Sequence, residues 1–233
     1  MAKNKKKNRK ILRAVLLVIT IFVITFLIAA SGAVFPKLFK TPDTRTYATT
    51  EHGWELILVN RDHYIPEDYE VTLLKLSNGE RVDERIYPEL QQMFDDARAT
   101  GLALYVAHGY RTSAEQKLLL EQKRKAYEAE GKSPEEAKEL AEKWVAVPGT
   151  SEHQLGIAVD INADEEKCKA EDVYGWLANN AHKYGFINRY PADKTEITGI
   201  IYEPWHYRYV GKSAAAEMYE KGICLEEYIE ELN

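Results

Sequence analysis

Two short stretches carry residue types that can do chemistry together. The first is SEHQLGIAVD, Ser151 to Asp160. His153 and Asp160 offer an imidazole and a carboxylate, both good ligands for zinc. Gly156 lets the backbone turn from a loop into a strand. On that strand Asp160 and Ala158 face away from Ile157, Val159 and Ile161. A carboxylate in an apolar strand is costly to bury unless it is paired or bound to a metal. An arginine partner is the competing reading of Asp160.

The second stretch, EPWHY from Glu203 to Tyr207, weakens that competitor. It adds His206, and a catalytic zinc site needs three protein ligands with a position left open. His153, Asp160 and His206 make three, for one zinc ion per chain. Glu203 is then left as the general base toward the attacking water. Pro204 disfavours helical geometry at Glu203. In a flat strand, residues 203 and 206 would point to opposite faces. The segment is therefore expected to bend. The other ring nitrogens of His153 and His206 are expected to be held by neighbours that the sequence does not name.

The elements that must hold these residues follow from pattern and punctuation. Strands are expected over 54–59, 102–107, 156–161, 197–201 and 207–210. Helices are expected over 88–100, 113–130, 133–145, 171–184, 214–220 and 225–232. Ser133 with Glu136 forms a capping box. Helices fall between and after strands without a steady βαβ rhythm. This predicts an α+β fold, a small antiparallel sheet with packed helices, preceded by one N-terminal transmembrane helix.

That last element comes from the charge pattern. Residues 1–13 carry seven Lys and Arg and no acid, whereas the whole chain has a formal charge of −6. The remainder is strongly acidic, which argues against nucleic acid as a partner. Residues 14–36 contain no charged side chain. About 20 apolar residues cross a bilayer, and the basic side stays in the cytoplasm. The run also exceeds the core of a cleaved signal peptide, although Ala30-Ser31-Gly32 offers a small-residue site. The expected organisation is a cytoplasmic tail at 1–13, an anchor at 14–36, a linker at 37–50 and a catalytic domain at 51–233 outside the membrane. Cys168 and Cys224 can pair there or stay as two small unpaired residues.

S-x-H-x-x-G-x-A-x-D followed by EPWHYRYVG resembles the VanY-type D-alanyl-D-alanine carboxypeptidases, zinc peptidases of the bacterial cell wall. VNRDHYIPEDY, GYRTSAEQ, PGTSEHQLG, GFINRYP and GKSAAAEMYEKGICLEEYI extend the resemblance over nearly the whole domain. It implies zinc on His153, Asp160 and His206, with Glu203 as base. It implies a small α+β fold. It also implies that Arg111 contacts substrate and stabilises the developing oxyanion. A guanidinium suits that charge or a substrate carboxylate, although a salt bridge in a turn competes. Gln116 and Ser151 are plausible substrate hydrogen-bonders, with capping an equal competitor for Ser151. Where this chain has His108, the family usually has a small residue. The expected reaction is removal of the terminal D-Ala from peptidoglycan stem peptides. An L,D-carboxypeptidase or a wall endopeptidase would use the same scaffold. A non-catalytic wall-binding domain would have no need of Glu203.

Overall fold

The computed structural model describes residues 43–233. Within them, Arg45–Asn233 forms one compact unit. The anchor expected at 14–36 lies outside the described residues, and no described helix is long and apolar enough to cross a membrane. The unit starts inside the stretch read as linker, because the Ala48 amide donates to the Tyr64 carbonyl and the Tyr64 amide donates to the Thr46 carbonyl, each at 2.8 Å.

The centre is a four-stranded antiparallel sheet. Its strands are β3 (Leu104–His108), β4 (Ala158–Ala163), β5 (Phe186–Asn188) and β6 (His206–Tyr209), in the order β3-β4-β6-β5. A separate hairpin joins β1 (Leu73–Lys75) to β2 (Arg81–Asp83). The longer helices are α1 (Tyr87–Ala99), α2 (Ser113–Ala129), α3 (Pro134–Glu142) and α4 (Ala170–Asn180). A one-turn α5 (Thr195–Thr198) precedes β6, and α6 (Lys212–Lys221) and α7 (Leu225–Leu232) close the chain.

Local chemistry explains the helix ends. Leu90, Met93, Phe94 and Ala97 make the buried stripe of α1, the spacing of one helical face. Capping boxes start α2 at Thr112 with Glu115 and α3 at Ser133 with Glu136, each satisfying two otherwise orphaned backbone donors. Ile157, Val159 and Ile161 from around β4 are buried with Leu177, Phe186 and the α1 stripe in one core cluster. The antiparallel sheet with packed helices agrees with the sequence reading.

Two expected strands are not strands. Trp54–Leu56 is a 3-10 turn. The carbonyls of Glu55 and Ile57 accept from the Arg208 guanidinium, each at 2.9 Å, so a buried side chain takes the place of a strand neighbour. Residues 197–201 also fail to extend. Thr195–Thr198 closes a helical turn, and Gly199 ends it with φ 73°. The helix expected over 171–184 is α4 followed by a 3-10 turn over Ala181–Tyr184. The hairpin β1–β2 and the short β5 were not anticipated. Cys168 and Cys224 are both free thiols.

Candidate active site

Strand pairing assembles the site. β4 and β6 run antiparallel with Asp160 opposite His206, and directly paired side chains on one face come within contact range. His153 arrives from the 3-10 turn Glu152–Leu155, which Gly156 closes in the left-handed region at φ 75°. A side chain at Gly156 would also crowd the backbone of Asp83 in β2. The result is a buried group of three: His153, Asp160 and His206 each offer a ligand atom within 4.8 Å of the others.

The distances fit a metal. Asp160 Oδ1 lies 3.0 Å from His206 Nδ1 and 3.4 Å from His153 Nε2. Ligands on a tetrahedral zinc with bonds of about 2.0–2.1 Å are separated by about 3.3–3.4 Å. The imidazole rings stand edge to face, 89° apart. His153 Nδ1 lies 2.8 Å from the Gly109 carbonyl. A carbonyl can only accept, so this nitrogen carries the proton and Nε2 keeps its lone pair for a metal.

The charges point the same way. Burial holds the His153 imidazole below its usual pKa, against the pull of Asp160, so the ring is neutral as a ligand must be. Burial opposes the Asp160 charge, yet His153 and His206 hold its carboxyl well below the usual carboxylate range. Burial also opposes charge on His206, but the carboxylates of Asp160, Glu152 and Glu203 around the ring outweigh it and raise the pKa to about 9. These surroundings favour a cation at Nδ1, and a metal there replaces a proton.

Glu203 stands beside this set. The chain turns between Glu203 and His206, where the His206 amide donates to the Glu203 carbonyl at 3.3 Å. The Asn188 side-chain amide holds the same carbonyl at 2.7 Å. Glu203 Oε2 comes within 3.7 Å of His206 Nδ1. Both side chains thus reach one point, as the expected bend requires. Burial, with Asp160 adding to it against His206 and Arg111, raises the Glu203 pKa to about 7. That is the range in which a general base works best at neutral pH.

A cavity of about 500 Å³ opens onto the group and is lined also by Arg111, Gln116, Ser151 and His108. The Arg111 amide donates to the His153 carbonyl at 3.1 Å. Its guanidinium donates to Gln116 Oε1 at 2.9 Å, while Gln116 Nε2 donates to the Ala146 carbonyl at 2.7 Å. Both functions of the Gln116 amide are therefore engaged, and it holds Arg111 in place. His108 is exposed and sits opposite Asp160 across the β3–β4 pair, next to a bulge.

The family model for VanY, D-alanyl-D-alanine carboxypeptidase, matches residues 79–212. The chain belongs to the VanY family. The match spans every site residue from Arg111 to His206. A D-alanyl-D-alanine carboxypeptidase of Enterococcus faecalis is 54% identical over 195 residues, which are 82% of this chain and 73% of the relative. The structure of VanYB in complex with D-alanine-D-alanine is 57% identical, with TM-score 0.75 over 76% of this chain and 98% of that one. A VanY variant from a VanB-type resistance cassette, a D,D-pentapeptidase in complex with zinc, gives 57% and 0.74, covering 76% and 99%. The LD-carboxypeptidase LdcB is more distant, at 35% and 0.63, covering 74% and 84%.

Beyond the residues read from the VanY motifs, the sequence left a buried charge cluster without a role. Glu152, Arg189 and Arg208 are all at most 1% exposed. The signal was a charged residue inside each of three otherwise uncharged or aromatic runs, around Ser151, GFINRYP and HYRYV.

Proposed function

We infer that this protein is a zinc-dependent D-alanyl-D-alanine carboxypeptidase acting on the terminal D-Ala of peptidoglycan stem peptides. One observation carries the assignment of roles. The Glu203 carboxylate and the Arg111 guanidinium face the same cavity as the His153–Asp160–His206 set. A binding module needs a cavity, but it does not need a base raised to about 7 beside a metal site.

His153, Asp160 and His206 would hold the zinc. When bound, the ion lowers the pKa of water and polarises a carbonyl. Glu203 takes a proton from the attacking water and returns it to the leaving amine of D-Ala. Arg111, kept in place by Gln116, stabilises negative charge gathering on the scissile carbonyl oxygen. Ser151 offers a hydroxyl to the bound peptide. The domain is carried outside the cell by the uncharged segment 14–36, with 1–13 in the cytoplasm and the stretch from 37 as a tether.

The test is mass spectrometry of stem peptides incubated with the zinc-loaded full chain. A pentapeptide ending in D-Ala-D-Ala is expected to lose one D-Ala, and the tetrapeptide to remain intact. Trimming of the tetrapeptide instead would assign L,D specificity, and internal fragments an endopeptidase. Zinc binding without any hydrolysis would leave only a wall-binding domain.

A further inference from the structure

His206 has two ring nitrogens and only one is explained by the metal set. Nδ1 lies on the metal side, 3.0 Å from Asp160 Oδ1. Nε2 is buried and has no hydrogen-bond partner, and the same is true of Glu152 Oε2. These two orphaned atoms lie 3.7 Å apart. An unpaired polar atom in the interior is costly, so two of them aimed at each other form one slightly open contact.

The other side of Glu152 is fully committed. Its Oε1 accepts from Arg189 Nε at 2.7 Å and from Arg208 Nη1 at 2.8 Å. Arg189 in turn makes a two-pronged pair with Glu226 of α7, at 2.8 and 2.6 Å. Arg208 is pinned by the carbonyls of Glu55 and Ile57. The Glu152 side chain is 0% exposed. Two guanidiniums therefore hold this carboxylate ionised and leave it one acceptor direction, toward His206.

We propose that Glu152 is the positioning residue of His206: clamped by Arg189 and Arg208, its carboxylate accepts from the Nε2–H of His206, keeps the proton on that nitrogen and thereby presents Nδ1 to the zinc. This rests on the zinc reading above and adds what makes His206 a ligand at that nitrogen. An acceptor at Nε2 fixes the tautomer and ring angle and strengthens the imidazole as a donor. Because Glu152 directly precedes His153, one 3-10 turn supplies both a ligand and the brace of a second ligand. The Arg189–Glu226 pair ties that brace to the C-terminal helix.

The first test is Glu152→Gln in the full chain, read as zinc affinity by competition with a chromophoric chelator. A glutamine can still accept from both arginines, but its amide N–H₂ would face His206 and demand an acceptor at Nε2. That favours the wrong tautomer. Zinc affinity is expected to fall by about 10–100-fold. Glu226→Gln, which disturbs Arg189 but leaves Glu152 in place, is the structural control, expected to bind zinc within about twofold of wild type. A folded Glu152→Gln protein with wild-type affinity, or one weakened no more than Glu226→Gln, would overturn the proposal. Wild-type protein that fails to bind zinc would instead overturn the zinc reading itself. The second test needs no variant. Nitrogen NMR of the zinc-loaded wild type is expected to show His206 protonated at Nε2 and metallated at Nδ1. A His206 that is metallated at Nε2 would refute the role of Glu152 whether or not the glutamine variant folds.

Discussion

Replacing Glu203 by alanine separates the base from the ligands at the scale of single residues. Its carboxylate is placed beside His206 Nδ1 at 3.7 Å but is not among the three converging ligands. Zinc content is therefore expected to be unchanged in Glu203→Ala. Loss of a general base costs about 10²–10⁴-fold in rate, and the upper end is expected because the same group serves the leaving amine. The loss belongs in kcat with KM little changed, the mark of an interaction made in the transition state. Steady-state kinetics with paired metal analysis checks this. Near-normal kcat, or a protein stripped of zinc, would remove Glu203 from the role. The residues that converge here were legible because each is a ligand or acid type inside a spaced motif. Gln116 was legible as a polar neighbour but not as the brace of Arg111, since side-chain to side-chain hydrogen bonds leave no trace in spacing. The role of Glu152 was hidden for a related reason: its meaning comes from Arg189 and Arg208, 37 and 56 positions away.

At the scale of elements, the loop after β3 shows how backbone groups help to hold the site. The Tyr110 amide donates to the Arg81 carbonyl at 2.6 Å, and the Gly109 carbonyl accepts from His153. A Cβ at residue 109 would overlap the Arg81 carbonyl oxygen. Gly109→Ala must therefore push the loop away from β2, and the same movement draws the carbonyl off His153. The expected cost is about 1–3 kcal/mol of stability, as for other overpacked sites. Zinc affinity is expected to fall with it, because His153 loses the acceptor that fixes its ring. Calorimetry of the metal-free protein together with chelator competition measures both, and unchanged zinc affinity would show that the carbonyl does not matter. The hairpin that makes this clamp carries an Asn78-Gly79 turn signal, with Gly79 at φ 96°, and so was legible in principle. The misread strand at 54–59 was not. Its apolar residues pack as a strand's would, but its carbonyls are satisfied by Arg208, a partner about 150 positions away. Local pattern reports burial well; it does not report which group completes the backbone hydrogen bonds.

The molecule as a whole divides its charge in a way the catalytic domain does not need. Seven basic residues within positions 1–13 stand against a formal total of −6, so the other 220 residues sum to −13. An acidic body gains nothing in fold from a basic tail, whereas a membrane-inserted segment uses such a tail to set its direction. Between them, residues 14–36 carry no charge, and a helix of that length, at about 1.5 Å per residue, would cross the roughly 30 Å hydrocarbon core. A peptidase for cell-wall stem peptides has to reach the outer side of the membrane, and the proposed orientation would put it there. The expectation is that the full-length protein stays with the membrane fraction through high-salt and carbonate washes, since a hydrophobic span is not screened as a surface charge contact is. Protease added to intact, wall-stripped cells is expected to digest the domain and leave a short protected N-terminal fragment. A domain that resists protease until the membrane is broken would reverse the topology. Recovery of the protein only as a freely secreted species starting near Ser31 would replace the anchor by a cleaved signal, while leaving the zinc chemistry of the domain as it stands.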